Sequence, residues 1–167
     1  MRAKLMALLS LFLFPALASG ATIQVSAQVI NNCVVNIPSS VILPAYRGMQ
    51  VRSLAELQLR CTKDASPVVS LGRGSLTATA GARVLTGPDG SQLVYRVYSD
   101  PQYNSVWNVV TEPPADGLTL RSYTFYWAIP PGQAVSPGTY ANNLDVAVDP
   151  GTSIVKHYAI RVSSIVQ

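Results

Sequence analysis

Short runs of alternating apolar and polar residues, separated by turn residues, constrain most strongly what this chain can fold into. Side chains of a β-strand point to opposite faces in turn, so a period of two gathers the apolar residues on one face. Prolines and glycines lie between the runs at residues 88–90, 113–117, 130–132, 137–138 and 150–151. With little sign of a helix and no repeats or interdomain linker, this spacing predicts an all-β protein, an antiparallel β-sandwich. The apolar positions of the runs are Leu57, Leu59 and Cys61; Leu93, Tyr95 and Val97; Tyr123, Phe125 and Trp127; Leu144, Val146 and Val148; Tyr158, Ile160 and Val162.

The first 20 residues have the parts of a secretory signal peptide. A basic start with Arg2 and Lys4 precedes an apolar stretch over residues 5–17, and small residues follow it. About 13 residues are too few for a transmembrane helix, which needs roughly 20. The sequence therefore predicts an exported protein, cleaved after Ala18 or Gly20, with no membrane span in the mature chain, which we count from Ala21.

The mature chain has the size of one domain and a small net charge. Without Arg2 and Lys4, ten basic and eight acidic residues remain, a net charge of +2. That charge is too small to indicate a nucleic acid or an anionic membrane as a partner. Two cysteines, Cys33 and Cys61, remain in an oxidising compartment and predict a structural disulfide. Metal ligation is the alternative, but two thiols and one distant histidine argue against it.

Residue types that carry catalysis are sparse in this chain. His157 lies in an alternating run beside Lys156, which favours an exposed or half-buried strand residue over a catalytic base. No nucleophile elbow, carboxylate pair, phosphate loop or metal-binding spacing is apparent. We therefore expect a protein that is not an enzyme and uses no cofactor or metal.

The aromatic residues allow two interpretations. They could form a sugar-stacking platform, or they could fill the sandwich, which is the commoner role of such residues. Trp127 alternates within a run, which favours the core. Trp107 follows the polar residues 100–105 and could be exposed, although packing remains the preferred interpretation.

Residues 21–32, between the leader and Cys33, form a further alternating segment. Ile23, Val25, Ala27 and Val29 would lie on one face of an extended strand. Such a strand needs a sheet to join. The sheet could be its own or that of a neighbouring subunit.

The order of landmarks from Cys33 onward resembles the spore coat protein U domain, which is shared with pilins of archaic chaperone–usher systems. The resemblance covers roughly residues 21–148. Its landmarks are Cys33 and Cys61, residues 83–85 (Arg-Val-Leu), 93–100 (Leu-Val-Tyr-Arg-Val-Tyr-Ser-Asp), 106–107 (Val-Trp), 123–133 (Tyr-Thr-Phe-Tyr-Trp-Ala-Ile-Pro-Pro-Gly-Gln) and 137–140 (Pro-Gly-Thr-Tyr).

The resemblance implies an immunoglobulin-like, pilin-like fold that lacks its seventh strand. It also implies a periplasmic chaperone, an outer-membrane usher and sister pilin subunits as partners, with a final location in a surface fibre (a fimbrium or pilus) or an extracellular coat. In such pilins the N-terminal extension of one subunit fills the groove of the next. The segment 21–32 would then be the donor strand, with Ile23, Val25, Ala27 and Val29 as its plugs. The alternative is an ordinary first strand in its own sheet.

The chain departs from the family pattern after Val148. Residues 149–167 add a turn at 150–151 and a further alternating run. Folded back antiparallel onto the preceding strand, with Tyr158, Ile160 and Val162 inward, this run would supply a seventh strand in cis. A subunit closed in this way could donate a strand but not accept one, and would end a fibre or act outside one. If the run pairs elsewhere, the subunit could polymerise both ways. An adhesive tip or carbohydrate-binding module, using exposed aromatics such as Trp107 and Tyr103, is a further alternative.

Overall fold

The computed structural model describes residues 24, 26–72, 81–107, 109–151 and 154–167. The predicted signal peptide, residues 1–20, lies outside them. Within the described residues the regular secondary structure is entirely β, as the sequence predicted. The ten strands are β1 (Cys33–Asn36), β2 (Ser40–Ile42), β3 (Val51–Cys61), β4 (Val68–Leu71), β5 (Ala82–Thr86), β6 (Gln92–Tyr98), β7 (Val109–Thr111), β8 (Arg121–Ile129), β9 (Gly138–Asp149) and β10 (Lys156–Val166).

The strands form one curled sheet that closes around a shared core. Neighbouring strands follow the order β1-β3-β8-β6-β5-β9-β10-β2, and β4 pairs with β9 on one side and β7 on the other. The β1-β3-β8-β6 part packs its inner face against that of the β9-β10 part, and their buried residues form a single cluster. This arrangement confirms the predicted immunoglobulin-like sandwich.

The inner faces are those that the alternation predicts. Phe125 and Trp127 on β8 are fully buried, as is Tyr95 on β6. The ring centroids of Tyr95 and Trp127 lie 5.8 Å apart, and those of Trp107 and Phe125 lie 4.6 Å apart. Aromatic side chains thus fill much of the space between the two parts of the sheet.

One pair of neighbouring strands departs from the antiparallel expectation. β2 runs parallel to β10, whereas the other strand pairs are antiparallel among the described residues. β1 and β2 are separated by Ile37, Pro38 and Ser39, and they pair with strands at opposite ends of the sheet. Pro38 has no N–H to donate to a strand ladder, which suits a position where the chain leaves one partner for another.

The turn before β10 contains the predicted Pro150-Gly151 pair. Gly151 has φ of +82°, a left-handed value that side chains with a Cβ rarely adopt. The chain then returns along β9 as β10, pairing with it from Lys156 opposite Val148 to Val166 opposite Gly138.

Candidate functional site

The candidate functional site is the groove between β9 and β2, which β10 occupies. β10 is antiparallel to β9 over its whole length and parallel to β2 through Arg161, Val162 and Ser163. On the β2 side, the backbone N–H of Leu43 donates to the carbonyl of Ser163, and the backbone N–H of Tyr46 donates to the carbonyl of Ile165, both at 2.8 Å. β10 therefore pairs with β9 along its whole length and with the β2 side over residues 161–166, and it covers the edge of β9 that faces it.

The inward face of β10 is part of the core. Ile160 and Val162 are 0% exposed, and Val166 is also buried. Each such aliphatic side chain contributes roughly 1.5–3 kcal/mol on burial. Tyr158 is half-buried against the same cluster, and burial raises the pKa of its hydroxyl. β10 thus supplies apolar side chains that this groove would otherwise lack.

Polar contacts hold both ends of β10. At its start, Lys156 Nζ donates to Asn32 Oδ1 and to the carbonyl of Cys33, both at 2.7 Å. Beyond its end, Gln167 Oε1 accepts bonds from Arg47 Nε and Nη2 at 2.9 and 2.6 Å. These contacts tie β10 to residues that are distant in the chain.

A buried polar residue lies near the middle of the contact with the β2 side. Ser164 is almost fully buried, and its hydroxyl donates to the carbonyl of Pro44 at 3.0 Å. Neither this serine nor the contacts at the two ends of β10 were predicted from the sequence. The sequence did contain one signal for Ser164, since a serine occupies an inward position of the alternating run where an apolar residue is expected.

The predicted donor segment has a different environment. Ile23 and Val25 lie outside the described residues. Ala27 and Val29 are exposed, Val29 to 84%, and both lie outside every strand that the structure describes. The two plugs that the structure describes, Ala27 and Val29, therefore do not pack in a groove of this chain.

The disulfide is formed as predicted. Cys33 and Cys61 are bonded with an S–S distance of 2.02 Å and lie opposite each other in the register of β1 and β3. Thr62 N donates to the Asn32 carbonyl at 2.8 Å, and Asn32 N donates to Thr62 Oγ1 at 3.0 Å. The chain is thus fixed to β3 immediately after the exposed segment.

His157, the residue considered as a catalytic base, does not lie in a pocket. His157 has a side chain that is 62% exposed, and its Nδ1 lies 2.9 Å from Asp145 Oδ2 on the open face of β9 and β10. No group of three or more His, Cys, Asp or Glu that could hold a metal occurs among the described residues. The described part of the chain also contains no helix long and apolar enough to cross a membrane.

The two aromatic residues considered for glycan binding differ in position. Trp107 is 5% exposed and packs on Phe125, so it belongs to the core. Tyr103 is half-buried at the surface, beneath the guanidinium of Arg52 at 4.3 Å and edge-on to Tyr98 and Tyr126. A sugar platform that uses both Trp107 and Tyr103 is therefore not present.

Comparison with solved structures shows a fold shared with fimbrial subunits and with part of a glycoside hydrolase. The chain resembles a family 123 glycoside hydrolase from Clostridium perfringens, with a TM-score of 0.52 and 11% identity, covering 83% of this chain and 27% of the hydrolase. It also resembles AggA, the major subunit of aggregative adherence fimbriae type I from Escherichia coli, with a TM-score of 0.51 and 13% identity over 84% of this chain and 98% of AggA. A third similar structure is CfaE, the adhesive subunit of the CFA/I fimbria of enterotoxigenic Escherichia coli, with a TM-score of 0.51 and 12% identity over 78% of this chain and 46% of CfaE.

These identities show a common fold. The chain spans about a quarter of the hydrolase and about half of CfaE, but nearly all of AggA. No curated protein matches the sequence. The Spore Coat Protein U domain, however, matches residues 19–147, well over half of the chain and close to the range of the predicted resemblance. The chain therefore belongs to the spore coat protein U domain family, with a fold like that of fimbrial subunits.

Proposed function

We propose that this protein is an exported, non-enzymatic structural subunit of a surface fibre or coat, which donates a strand to a neighbour and fills its own groove with β10. The family and the folds of AggA and CfaE support a subunit of the pilus type. The position of β10, paired on both sides with Ile160 and Val162 in the core, carries the second part of the proposal.

The proposed assembly mechanism is donor-strand exchange. The segment 21–32 enters the open groove of the next subunit, with Ile23, Val25, Ala27 and Val29 facing the groove. A periplasmic chaperone covers open grooves before assembly, and an outer-membrane usher exports the fibre. An uncovered edge beside an exposed core is prone to aggregation, and strand addition covers it with both backbone bonds and side chains.

In this proposal the subunit takes part in assembly on one side only. β10 already uses the backbone groups of β9 and β2 that a neighbour's strand would need. The subunit therefore donates but does not accept, which places it at the end of a fibre. An adhesive tip remains the rival role, and the burial of Trp107 removes one of the two aromatics on which that role depends.

Two deletions test the role of β10. We expect the mature chain without residues 150–167 to aggregate unless a chaperone is present, because β9, β2 and part of the core lose their cover. The matched control lacks residues 21–30, which are exposed where the structure describes them, and should remain a folded monomer. Size-exclusion chromatography and chemical unfolding give the readout. Equal stability of the C-terminal deletion and the full chain would contradict the proposal.

A second experiment tests donation. The chain with and without residues 21–30 is co-expressed with its chaperone, usher and sister subunits, and the fibre fraction is probed for the subunit. We expect the truncated chain to fold but to be missing from the fibre. Its continued incorporation would show that the segment is not the donor.

A further inference from the structure

Two seven-residue segments at opposite ends of the chain are similar in sequence. Residues 23–29 read Ile-Gln-Val-Ser-Ala-Gln-Val, and residues 160–166 read Ile-Arg-Val-Ser-Ser-Ile-Val. Four of the seven positions are identical, and Ala27 is matched by another small residue, Ser164. The two remaining differences fall at Arg161 and Ile165, which are exposed on β10. On the face that β10 buries, the two segments therefore have identical or similarly small residues at every position.

The groove explains this order of side chains. Residues directly opposite each other on antiparallel strands share a face, so β9 sets the room available to β10. Tyr140 is large and fully buried, and a small residue, Ser164, lies opposite it. The pairs on the inward face are Ile160 with Leu144, Val162 with Asn142, Ser164 with Tyr140, and Val166 with Gly138. The groove thus favours a branched, branched, small, branched order of side chains.

We propose that residues 160–166 and residues 23–29 are two copies of one groove-filling strand. The 23–29 segment of a second copy of this chain then fits the β9–β2 groove. Its register places Ile23 at the position of Ile160, Val25 at that of Val162, Ala27 at that of Ser164 and Val29 at that of Val166. This inference rests on the proposed donor role of residues 21–32 and specifies its register. It also describes the natural acceptor: a subunit whose groove has the same order of side-chain space and no strand of its own.

Contacts outside the shared pattern keep β10 in its own groove. Ser164 Oγ donates to the Pro44 carbonyl at 3.0 Å, a bond that Ala27 cannot make. The bonds of Lys156 and Gln167 hold the two ends. Only residues 150–155 separate β10 from β9 in the chain, which gives β10 a high effective concentration at this groove. The N-terminal segment of a second copy therefore does not displace β10 from the native chain.

The register is tested within the full mature chain. The substitutions R161Q, S164A and I165Q convert residues 160–166 into the sequence of residues 23–29. We expect the melting temperature to fall by less than about 5 °C, since the main loss is the Ser164 hydrogen bond.

A control variant, the shifted chimaera, replaces residues 160–166 with the sequence of residues 21–27, Ala-Thr-Ile-Gln-Val-Ser-Ala. It keeps the alternation but shifts it by two residues, so that valine lies opposite Tyr140 and alanine replaces Ile160. We expect a fall of more than about 10 °C from overpacking and lost burial. The proposed register would be overturned if the shifted chimaera were at least as stable as the variant with R161Q, S164A and I165Q.

Binding in trans is tested with a labelled synthetic peptide of residues 21–32 and fluorescence anisotropy. The full chain carrying V162N has a loosened β10 and should bind the peptide at least tenfold more tightly than the native chain. A peptide carrying V25N should not bind. A second chain variant, R47M with K156M, loosens the ends of β10 without altering the core, and should give the same order of affinities if V162N fails to fold. Equal binding by native and loosened chains, or by both peptides, would overturn the inference.

Failure of the register and failure of the donor role give different results. Suppose that the chain without residues 21–30 is missing from fibres, but that the shifted chimaera is as stable as the variant with R161Q, S164A and I165Q. The donor role then stands and the register is wrong. If the peptide binds the loosened chain in the proposed register but truncation leaves fibre incorporation unchanged, the two strands are interchangeable and the donor role is wrong.

Discussion

The two ends of the mature chain have nearly the same alternating pattern but opposite environments. Ile160 and Val162 in β10 are completely buried, whereas Val29 in the N-terminal segment is 84% exposed. Residues 161–163 of β10 have a strand on each side, and the described residues ahead of Cys33 have none. The same pattern of side chains therefore contributes to the core at one end and is available to a partner at the other.

This contrast shows what converts an alternating run into part of a domain. Alternation supplies an apolar face at both ends of the chain. Only the C-terminal run follows β9 closely in the chain, after residues 150–155, and has anchors such as Lys156 and Ser164. A nearby edge and specific polar contacts decide which run folds in cis.

The largest expected effect comes from introducing one carboxylate into each of the two segments, at a buried valine of β10 and at an exposed valine of the N-terminal segment. We expect Val162→Asp to destabilise the chain by about 4 kcal/mol or more, because an unpaired carboxylate would enter the core. Val29→Asp should change the unfolding free energy by less than about 0.5 kcal/mol, since its side chain is exposed. Urea unfolding measures both. Similar losses at the two sites would remove the distinction between them.

The disulfide is expected to have the next largest effect. Replacing both Cys33 and Cys61 with alanine should lower the unfolding free energy by about 3 kcal/mol, because the unfolded chain loses the constraint on its 28-residue separation. A reducing agent should have a similar effect on the native chain and none on the double variant. A native stability unchanged by reduction would show that the β1–β3 pairing holds the start of the domain without the bond.

Alkaline pH should destabilise the core through Tyr95 more than through Tyr158 of β10. Burial raises the pKa of Tyr95 to about 12, with Arg83 opposing the shift. The unfolded chain loses this proton near pH 10, so stability is fully present below pH 10 and falls as the pH rises to about 12.

Unfolding measured between pH 9 and 12 should show little slope from Tyr95 below pH 10 and a slope approaching about 1.4 kcal/mol per pH unit between pH 10 and about 12. We expect Tyr95→Phe to remove more of this slope than Tyr158→Phe, because Tyr158 is only half-buried. Burial also raises the pKa of Tyr123 to about 12, so Tyr123 keeps part of the slope in both variants. A larger effect of Tyr158→Phe than of Tyr95→Phe would mean that the unfolding free energy depends on pH more through β10 than through the core at β6.

The smallest effect is expected at the anchored start of β10. Lys156→Met removes two hydrogen bonds to Asn32 and Cys33 and should cost about 1 kcal/mol. Lys63→Met, at an exposed lysine in the turn after β3, is the matched control and should be close to neutral. Equal effects in equilibrium unfolding would mean that Lys156 does not help to hold β10.

Much of the fold could be predicted from local pattern and from family landmarks. The alternation at Leu93, Tyr95 and Val97 identified the inner face of β6, and the two cysteines in an exported chain identified the disulfide. Short strands such as β2 and β7 were not predicted, because three residues are too few to show a period. The parallel pairing of β2 with β10 was not predicted either, since it joins segments about 120 residues apart.

For the candidate site, the sequence by itself determined that both ends of the mature chain carry an apolar strand face. The tertiary structure alone decided that β10 lies between β9 and β2, with Ser164 opposite Tyr140 and bonded to Pro44. A period of two fixes which side chains share a face, but not which edge receives the strand. That choice depends on backbone partners and side-chain space contributed by distant parts of the chain, which exist only once the sheet has formed.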